Sequence, residues 1–368
     1  MAATAGNRVS RKIMGRLRLA SQALLGPGFG SVPDAVRWMT ATQAQDLQAA
    51  LWAVGLRVPG ASVSDVRAAI DGGTVVRSWP MRGTLHLVAP EDLRWMLEIT
   101  NDRLSRSISG RHRELDITPA DIEKCRDLAL ERIAAEGPLS RAELFSVFDA
   151  AGQPTRNQRG IHILGTLCRY AWLVQGPLAG NRQLFVAFDH WIPVSRNPDR
   201  QEAIAEFMLR YFTSHGPATL RDFAWWTQVP LTEVRAVFEE IRARLVELEL
   251  GGTSYWMSPA TALLLDAGVP GQRSVLLLPG FDEFVLGYTD RSLVLAPEHA
   301  WKIVPGGNGV FKKTIVAGGE VIGTWARQGT SLSGAVVPEL FDGTKPFGPG
   351  AQASFGKAAE QYVAFLAG

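Results

Sequence analysis

The chain has 368 residues, which exceeds the size of a single hydrophobic core and predicts two to four modules. Hydrophobic residues make up 46% of the composition and charged residues 20%, and no apolar run is long enough for a transmembrane helix, so a disordered chain and an integral membrane protein are excluded. The net charge of +2 is too small to indicate nucleic-acid binding by itself. The N-terminal residues lack the apolar core of a signal peptide, so we expect a cytoplasmic protein.

The N-terminal region predicts several helices followed by a hairpin. Apolar residues at three- and four-residue spacing predict an amphipathic helix from Ser10 to Leu25, with arginines on its outer face. We expect a loop through Val32-Pro33 after it. The elements predicted next are a helix that begins near Leu47, a helix over Asp65–Asp71 capped by Ser64, strands over Val75–Trp79 and Gly83–Val88, and a helix opened by Pro90.

Two glutamines, Gln43 and Gln45, directly precede the helix predicted at Leu47. Residues two positions apart on a helix point about 200° away from each other, so the two amides can serve one ligand only from an extended backbone. Asp46 is a suitable N-cap, which predicts that the helix begins after the glutamines. A Gln-x-Gln triplet on its own is usually a surface feature without function.

The central region repeats one pattern, a helix, a Gly-Pro turn and a short capped helix, at residues 134–145 and 213–224. Each copy is followed by another helix and by two apolar strands, an order typical of the winged helix-turn-helix. Residues 47–88 form a less regular third copy. We predict an α+β fold with domains at 1–115 (N-terminal helix and winged helix 1), 116–195 (winged helix 2), 196–259 (winged helix 3) and 260–368 (a small β-barrel-like domain with a terminal helix).

The C-terminal region predicts strands and turns with one last helix. The predicted strands are Ser274–Leu278, Phe284–Tyr288, Leu293–Leu295, Phe311–Val316 and Glu320–Ala326, with Gly318-Gly319 as a hairpin turn. The helix covers Ala358–Leu366, with Tyr362 and Phe365 on its packing side. For the charged residues Asp282, Glu283, Asp290 and Arg291, salt bridges and turn caps are favoured over a catalytic role.

Two segments are rich in basic residues and contain no acidic residue. They hold Arg8, Arg11, Lys12, Arg16 and Arg18 in one case and Arg103, Arg106, Arg111, His112 and Arg113 in the other. Either segment alone is typical of a solvated face. Cys125 and Cys168 are the only cysteines, and neither has a histidine at zinc-ligand spacing. Because phosphate-binding and dinucleotide-binding glycine patterns are lacking as well, we expect no metal and no cofactor.

Four motifs in combination carry a resemblance to a known family. They are Gln43-Ala44-Gln45, the hairpin segment 75–88 (VVRSWPMRGTLHLV), segment 278–284 (LPGFDEF) and segment 287–291 (GYTDR). Together they resemble the AlkZ/YcaQ family of bacterial DNA glycosylases, from about Arg16 to the C-terminal helix. The resemblance implies tandem winged helices and hydrolysis of the N-glycosidic bond of alkylated purines. Bulky N7-alkylguanine adducts and interstrand crosslinks are the implied substrates, in repair or in self-resistance to a genotoxic natural product.

The resemblance also implies the roles of individual residues. Gln43 and Gln45 would be catalytic by positioning a water molecule; some relatives have Asp where this chain has Gln45, which disfavours a strong general base here. Asp46 is favoured as a helix cap, Trp79 as a core residue, and His86 equally as a core residue or a DNA contact. Expected DNA-binding residues are Arg82, His86, Arg16, Arg18, Arg111, Arg113, Lys312 and Lys313, the last two in a loop from Asn308 that would enter the minor groove.

The expected partner is duplex DNA carrying alkylated purines, bound by a monomeric, monofunctional, nucleoid-associated enzyme. We expect a C-shaped molecule with an open cleft, because a crosslinked base cannot swing into a closed pocket. Two alternatives remain. A winged-helix transcription regulator would bind a palindromic site as a dimer without any reaction, and a scaffold would use exposed tryptophans to bind proteins or single strands.

Overall fold

The computed structural model contains both helices and strands throughout the chain and describes residues 9–307, 309–329 and 334–368. The helices are α1 (Arg11–Ser21), α2 (Val32–Met39), α3 (Leu47–Gly55), α4 (Val63–Asp71), α5 (Pro90–Glu114), α6 (Pro119–Glu136), α7 (Arg141–Ala150), α8 (Arg159–Arg169), α9 (Phe188–Trp191), α10 (Arg200–His215), α11 (Leu220–Thr227), α12 (Leu231–Ile241), α13 (Pro259–Ala267), α14 (Glu283–Leu286), α15 (Ala300–Ile303) and α16 (Pro349–Ala367). The strands are β1 (Thr42–Gln43), β2 (Val76–Met81), β3 (Thr84–Val88), β4 (Leu139–Ser140), β5 (Leu173–Ala179), β6 (Arg182–Ala187), β7 (Val246–Leu250), β8 (Thr253–Met257), β9 (Val275–Leu278), β10 (Thr314–Ala317), β11 (Glu320–Arg327) and β12 (Val336–Leu340).

These elements form two structural units that are not continuous in sequence. The first unit comprises the described residues up to Val66 together with Ala205–Trp226 and Pro230–Gly368. The second comprises Arg67–Ile204 and Thr227–Val229. Because the chain leaves the first unit and returns to it, the first unit combines segments that are more than 200 residues apart, as in the hydrogen bond from Gln43 to Glu283.

The first unit is built around an antiparallel sheet with the strand order β12-β11-β10-β9. Met14 and Leu19 of α1 lie in the same apolar core as Leu278 and Val316 of the sheet. On α16, Tyr362 and Phe365 place their rings 5.2 and 5.1 Å from the ring of Trp52 on α3. The terminal helix and its predicted packing side are therefore confirmed.

The second unit has five antiparallel strands in the order β3-β2-β5-β6-β4. The predicted hairpin of β2 and β3 is confirmed, with Ser78 opposite His86. Helices α6, α7 and α8 enclose a core that contains both cysteines and against which Trp79 packs. Burial raises the pKa of the Cys125 thiol to about 11 and also raises that of Cys168.

The structure overturns several local predictions. The expected loop through Val32-Pro33 is helix α2, because Ser31 caps it and proline is tolerated in a first turn. Helix α4 is capped by Ser62 instead of Ser64, since Ser62 and Asp65 bond each other's backbone N–H. Segment 284–288, predicted as a strand, contains α14, and the predicted strand 293–295 is turn, because apolar content alone does not distinguish strand from short helix.

The β-barrel-like prediction is also wrong, because β9 and β12 end an open four-stranded sheet and the described residues include no closed barrel. The α+β class and the Gly318-Gly319 turn between β10 and β11 are confirmed. None of the helices in the described residues is both long and apolar enough to span a membrane.

Gly15 provides a test of the contact between α1 and the turn that joins β10 to β11. A Cβ atom at Gly15 would overlap the carbonyl group of Gly319. We expect Gly15→Ala to lower the free energy of unfolding by about 1–3 kcal/mol, the usual cost of overpacking. Gly356 in α16 is the matched control, since a Cβ there meets nothing within 4 Å. Gly356→Ala should raise stability by about 0.5–1 kcal/mol through helix propensity. Urea unfolding of both variants measures the difference, and equal values would contradict the contact.

Candidate active site

The two glutamines lie at the transition from β1 to α3. Gln43 is in the short strand, Gln45 is in a bend, and α3 begins at Leu47. Asp46 caps the helix by accepting a hydrogen bond from the backbone N–H of Ala49 (3.1 Å). The predicted helix start and the predicted role of Asp46 as a cap are both confirmed.

The two side chains differ in their access to solvent. Gln43 retains only 7% of its surface, whereas Gln45 is exposed. Just before them, Thr40 has a φ of +66°, a region that a β-branched residue rarely adopts. Such outliers persist only where the surrounding structure enforces them, and they are concentrated at functional sites. The glutamine segment is therefore held in place by its surroundings.

A buried carboxylate holds the backbone of this segment. Glu283, at the start of α14, has no exposed surface. Its Oε1 accepts a hydrogen bond from the backbone N–H of Gln43 (3.1 Å), and its Oε2 accepts one from the indole N–H of Trp226 (2.9 Å). Burying a carboxylate costs several kcal/mol unless donors satisfy it, so these two contacts stabilise its position.

His215 closes the other side of this carboxylate. Its Nε2 lies 3.6 Å from Oε2 of Glu283, and its ring stacks on Tyr211 with centroids 4.8 Å apart. Burial lowers the pKa of His215 below its ordinary value of 6.5, although Glu283 opposes the shift. The imidazole is therefore neutral at neutral pH. A Cβ at Gly287 would come within 2.9 Å of this ring, so only glycine fits beside it without displacement.

Asp282, the neighbour of Glu283, forms a buried ion pair with Arg57. The guanidinium donates to both carboxylate oxygens at 3.1 and 3.3 Å, and both side chains have an exposed fraction of 1%. Asp282 also caps α14 through the N–H of Phe284 (3.0 Å), and Asp290 accepts from the N–H of Ser292 (2.8 Å). The preference for salt bridges and turn caps is confirmed for both aspartates.

Sequence reasoning did not find that Glu283 contacts the glutamine segment. The residues are 240 positions apart, and Trp226, the other donor, is 57 positions from Glu283. The only sequence signal near Glu283 is the LPGFDEF motif, and a motif does not show which distant residues its side chains contact.

The arginines of α1 do not form one exposed face. Arg18 is fully buried: its Nε donates to the carbonyl oxygen of Pro217 (2.9 Å), and its guanidinium lies 3.5 Å from the centre of the Tyr288 ring. The expectation that Arg18 binds DNA is therefore corrected, because a side chain without exposed surface cannot reach a phosphate. Arg16 is half-buried and donates to the carbonyl oxygen of Val269 (2.8 Å).

Arg82 and His86 contact each other in the second unit. His86 has no exposed surface; its Nδ1–H donates to the carbonyl oxygen of Thr84 (2.9 Å), which leaves Nε2 to accept from the Arg82 guanidinium (3.2 Å). The expected direct contact between His86 and DNA is therefore corrected, since the imidazole orients Arg82. Arg82 itself lies in the hairpin turn with a φ of +55° and lines a groove with Arg103.

The remaining expected DNA contacts lie at the surface to different degrees. Arg111 and Arg113 are exposed near the end of α5, where Arg111 pairs with Glu114 at 2.7 Å. Lys312 is exposed, but Lys313 is half-buried, with Nζ 4.8 Å from the centre of the Trp325 ring. Burial lowers the pKa of Lys313, which Asp46 partly opposes. Asn308 and Arg8 lie outside the described residues.

Comparison with known proteins identifies the family. The family model described as DNA glycosylase AlkZ-like matches residues 36–365. The chain belongs to the AlkZ-like DNA glycosylase family. It is similar to an interstrand DNA cross-link repair glycosylase of Streptomyces sahachiroi, with 26% identity over 306 residues that cover 80% of this chain and 82% of the relative. The solved structure of the Streptomyces sahachiroi DNA glycosylase AlkZ shares the fold, with a TM-score of 0.82, 24% identity and coverage of 98% of this chain and 97% of the other.

Membership in this family confirms the resemblance that the four motifs predicted. It makes the protein a DNA glycosylase, a hydrolase that acts on N-glycosyl bonds. The part of the chain that the structure describes contains no group of three histidine, cysteine or acidic side chains that could hold a metal ion.

The buried ion pair of Arg57 and Asp282 gives a stability test. We expect Arg57→Met to lower the free energy of unfolding by about 3–5 kcal/mol, because Asp282 then stays buried without its cation. The double variant Arg57→Met/Asp282→Leu should recover much of this loss, since it removes both charges. The exposed pair of Arg111 and Glu114 is the control, and Arg111→Met should change stability by about 0.5 kcal/mol or less. Urea unfolding measures all three, and additive losses in the double variant would contradict the pairing.

Proposed function

We propose that this glycosylase releases bulky N7-alkylguanine adducts and unhooks interstrand DNA crosslinks, with Gln43 and Gln45 as its catalytic residues. The observation that carries the proposal is the glutamine segment itself. Two amides precede a capped helix on a non-helical backbone, one of them is exposed, and a buried carboxylate holds the segment. The name of the Streptomyces sahachiroi relative, an interstrand DNA cross-link repair glycosylase, supports the choice of substrate.

The chemistry requires little acid or base assistance. Alkylation at N7 makes guanine cationic, so the bond between C1′ and N9 breaks with its electrons passing to the base and neutralising that charge. Water forms the new bond to C1′ and gives a proton to solvent. In the transition state the sugar carries positive charge, which the carbonyl dipoles of the glutamine amides can stabilise. The same carbonyl oxygens can accept a hydrogen bond from the attacking water. Protonation of the departing base is unnecessary.

The two glutamines contribute differently because their exposure differs. Gln45 is accessible to both water and sugar. Gln43 reaches them only through the 7% of its surface that remains exposed, and its backbone is fixed by Glu283. Fixed dipoles stabilise charge more effectively than mobile ones because they need no reorganisation during the reaction. Buried Gln43 therefore supplies a preorganised dipole, and Gln45 holds the water.

Exposed cations supply the affinity for the DNA backbone. Arg111, Arg113 and Lys312 are exposed, and the groove of Arg82 and Arg103 adds two further cations. Half-buried Arg16 and Lys313 contribute less to DNA binding. Arg16 already donates to a carbonyl oxygen, and the ammonium group of Lys313 already lies against an aromatic ring. Contacts of this kind bind duplex without reading its sequence. The proposal further includes three winged-helix modules within the predicted domain boundaries and a C-shaped cleft. It also includes a monomeric state and association with the nucleoid.

The glutamines can be tested on duplexes with one N7-alkylguanine or one nitrogen-mustard N7–N7 crosslink. We expect strand breaks only after alkali treatment, since a monofunctional glycosylase leaves an intact abasic strand. Gln43→Ala and Gln45→Ala should each slow single-turnover release by about tenfold or more, which corresponds to about 1.4 kcal/mol of transition-state stabilisation. Duplex affinity should hardly change.

The exposed residue Gln48 of α3 provides a matched control for this test. Gln48→Ala removes the same amide group two residues after the cap Asp46 and should keep the wild-type rate. Equal losses of rate and affinity in the Gln43 and Gln45 variants would make them DNA contacts instead. A defined palindromic site without any base release would establish the transcription-regulator alternative.

The basic end of α5 can be tested by salt dependence. We expect Arg111→Ala/Arg113→Ala to weaken duplex binding and to reduce the slope of log affinity against log salt by roughly 1.8, since each phosphate contact adds about 0.9. Arg132 is the control, an exposed arginine of α6 that pairs with Glu136 (3.1 Å). Fluorescence anisotropy of a labelled duplex at several salt concentrations measures the slope, and identical slopes for both variants would remove these arginines from the interface.

A further inference from the structure

We infer that Glu283 is a positioning residue for the reaction: its buried carboxylate fixes the backbone N–H of Gln43 and thereby the geometry of both glutamines. The inference rests on the proposed catalytic role of Gln43 and Gln45. It assigns a function to the LPGFDEF motif, which the proposed chemistry otherwise leaves without one.

Both oxygens of the Glu283 carboxylate are engaged in the protein interior. Glu283 uses one oxygen for Gln43 (3.1 Å) and the other for Trp226 (2.9 Å), and the whole side chain is inaccessible to solvent. A group without exposed surface cannot reach C1′ of a sugar or activate bulk water. Glu283 therefore acts on the reaction only through the residues that it touches.

The strand that Glu283 holds is very short. Strand β1 contains only Thr42 and Gln43, and after Ala44 the chain bends at Gln45. Two residues provide few backbone hydrogen bonds, whereas a hydrogen bond to a carboxylate is about twice as strong as one between neutral groups. Displacement of reacting groups by about 1 Å can cost a factor of 100 in rate. One charged hydrogen bond at this strand is therefore well placed to control the rate.

The neighbours of Glu283 hold its carboxylate in a fixed position. Neighbouring Asp282 is clamped by Arg57, and Trp226 packs within 5.0 Å of both Tyr211 and His215, measured between ring centroids. The peptide that carries Glu283 is therefore fixed independently of Gln43. Since the carboxylate of Glu283 does not move with β1, its hydrogen bond fixes the position of the Gln43 backbone.

The decisive experiment changes the number of hydrogen-bond acceptor oxygens at position 283. A carboxylate offers one acceptor to the Gln43 N–H and another to the Trp226 N–H. In Glu283→Gln the amide offers one oxygen, so the two N–H groups compete for it and the Gln43 backbone is no longer held by a charged acceptor of its own. We expect this variant to release the base at least about tenfold more slowly under single-turnover conditions, with unchanged duplex affinity. Removing the indole donor as well, in Glu283→Gln/Trp226→Phe, lets the amide oxygen return to Gln43.

The double variant should therefore recover a rate within about threefold of Trp226→Phe alone, which corresponds to less than about 0.7 kcal/mol. A merely structural role predicts instead that the rate follows the melting temperature through all three variants, because both quantities would then report the same loss of packing around Glu283 and Trp226. Melting temperatures measured in parallel identify that case. Recovery of rate without recovery of melting temperature separates positioning from stability.

Glu143→Gln is the matched control. Glu143 also accepts a backbone N–H, that of Ser140 (2.7 Å), but it does so in the second unit. We expect this variant to keep the wild-type rate. A wild-type rate in Glu283→Gln, or a double variant as slow as Glu283→Gln, overturns the inference.

Failure of the proposed function has a different signature. Wild-type rates in Gln43→Ala and Gln45→Ala would remove the glutamines from the chemistry, whereas slow glutamine variants beside a fast Glu283→Gln would remove only the positioning role. Should Glu283→Gln not fold, hydrogen exchange gives the answer on wild-type protein and the double variant. The Gln43 amide is expected to be protected in both, and rapid exchange of this amide in the wild type contradicts the inference.

Discussion

A buried carboxylate must find hydrogen-bond donors, and this requirement at Glu283 organises the first unit of the protein. Its donors come from β1 and from α11, segments that the sequence separates widely. An unpaired carboxylate in the interior would cost more than most single contacts contribute, so the fold is stable only when these segments come together. The same constraint that closes the unit also sets the backbone of the glutamine segment.

Around this carboxylate the protein builds a rigid support of polar groups and rings. Tyr211 donates to the carbonyl oxygen of Gly287 (2.8 Å), and Tyr288 donates to that of His215 (2.6 Å). Buried polar networks in which donors meet acceptors specify one arrangement of the chain. The catalytic role proposed for the glutamines depends on such support, because neutral amides stabilise charge only when their orientation is fixed.

The sequence predicted local features better than long-range ones. Asp46 as a cap, the start of α3 and the hairpin of β2 and β3 follow from chemistry within a few residues, and all three are confirmed. Segment 284–288 was misjudged because its apolar residues suit either a buried strand or a buried helix, and tertiary contacts decide between them. Burial of Arg18 was not predictable either, since arginine is seldom buried and the ring of Tyr288 that receives it lies 270 positions away.

Burial of the two cysteines of the second unit has a consequence under the proposed function, in which the enzyme works where DNA is being alkylated. Compounds that attack guanine N7 are electrophiles, and a thiolate is the strongest nucleophile that a protein side chain presents to them. Cys125 and Cys168 are buried, and desolvation keeps both thiols protonated at neutral pH. Under the proposed function, burial therefore shields both thiols from the electrophiles that would generate the protein's substrates.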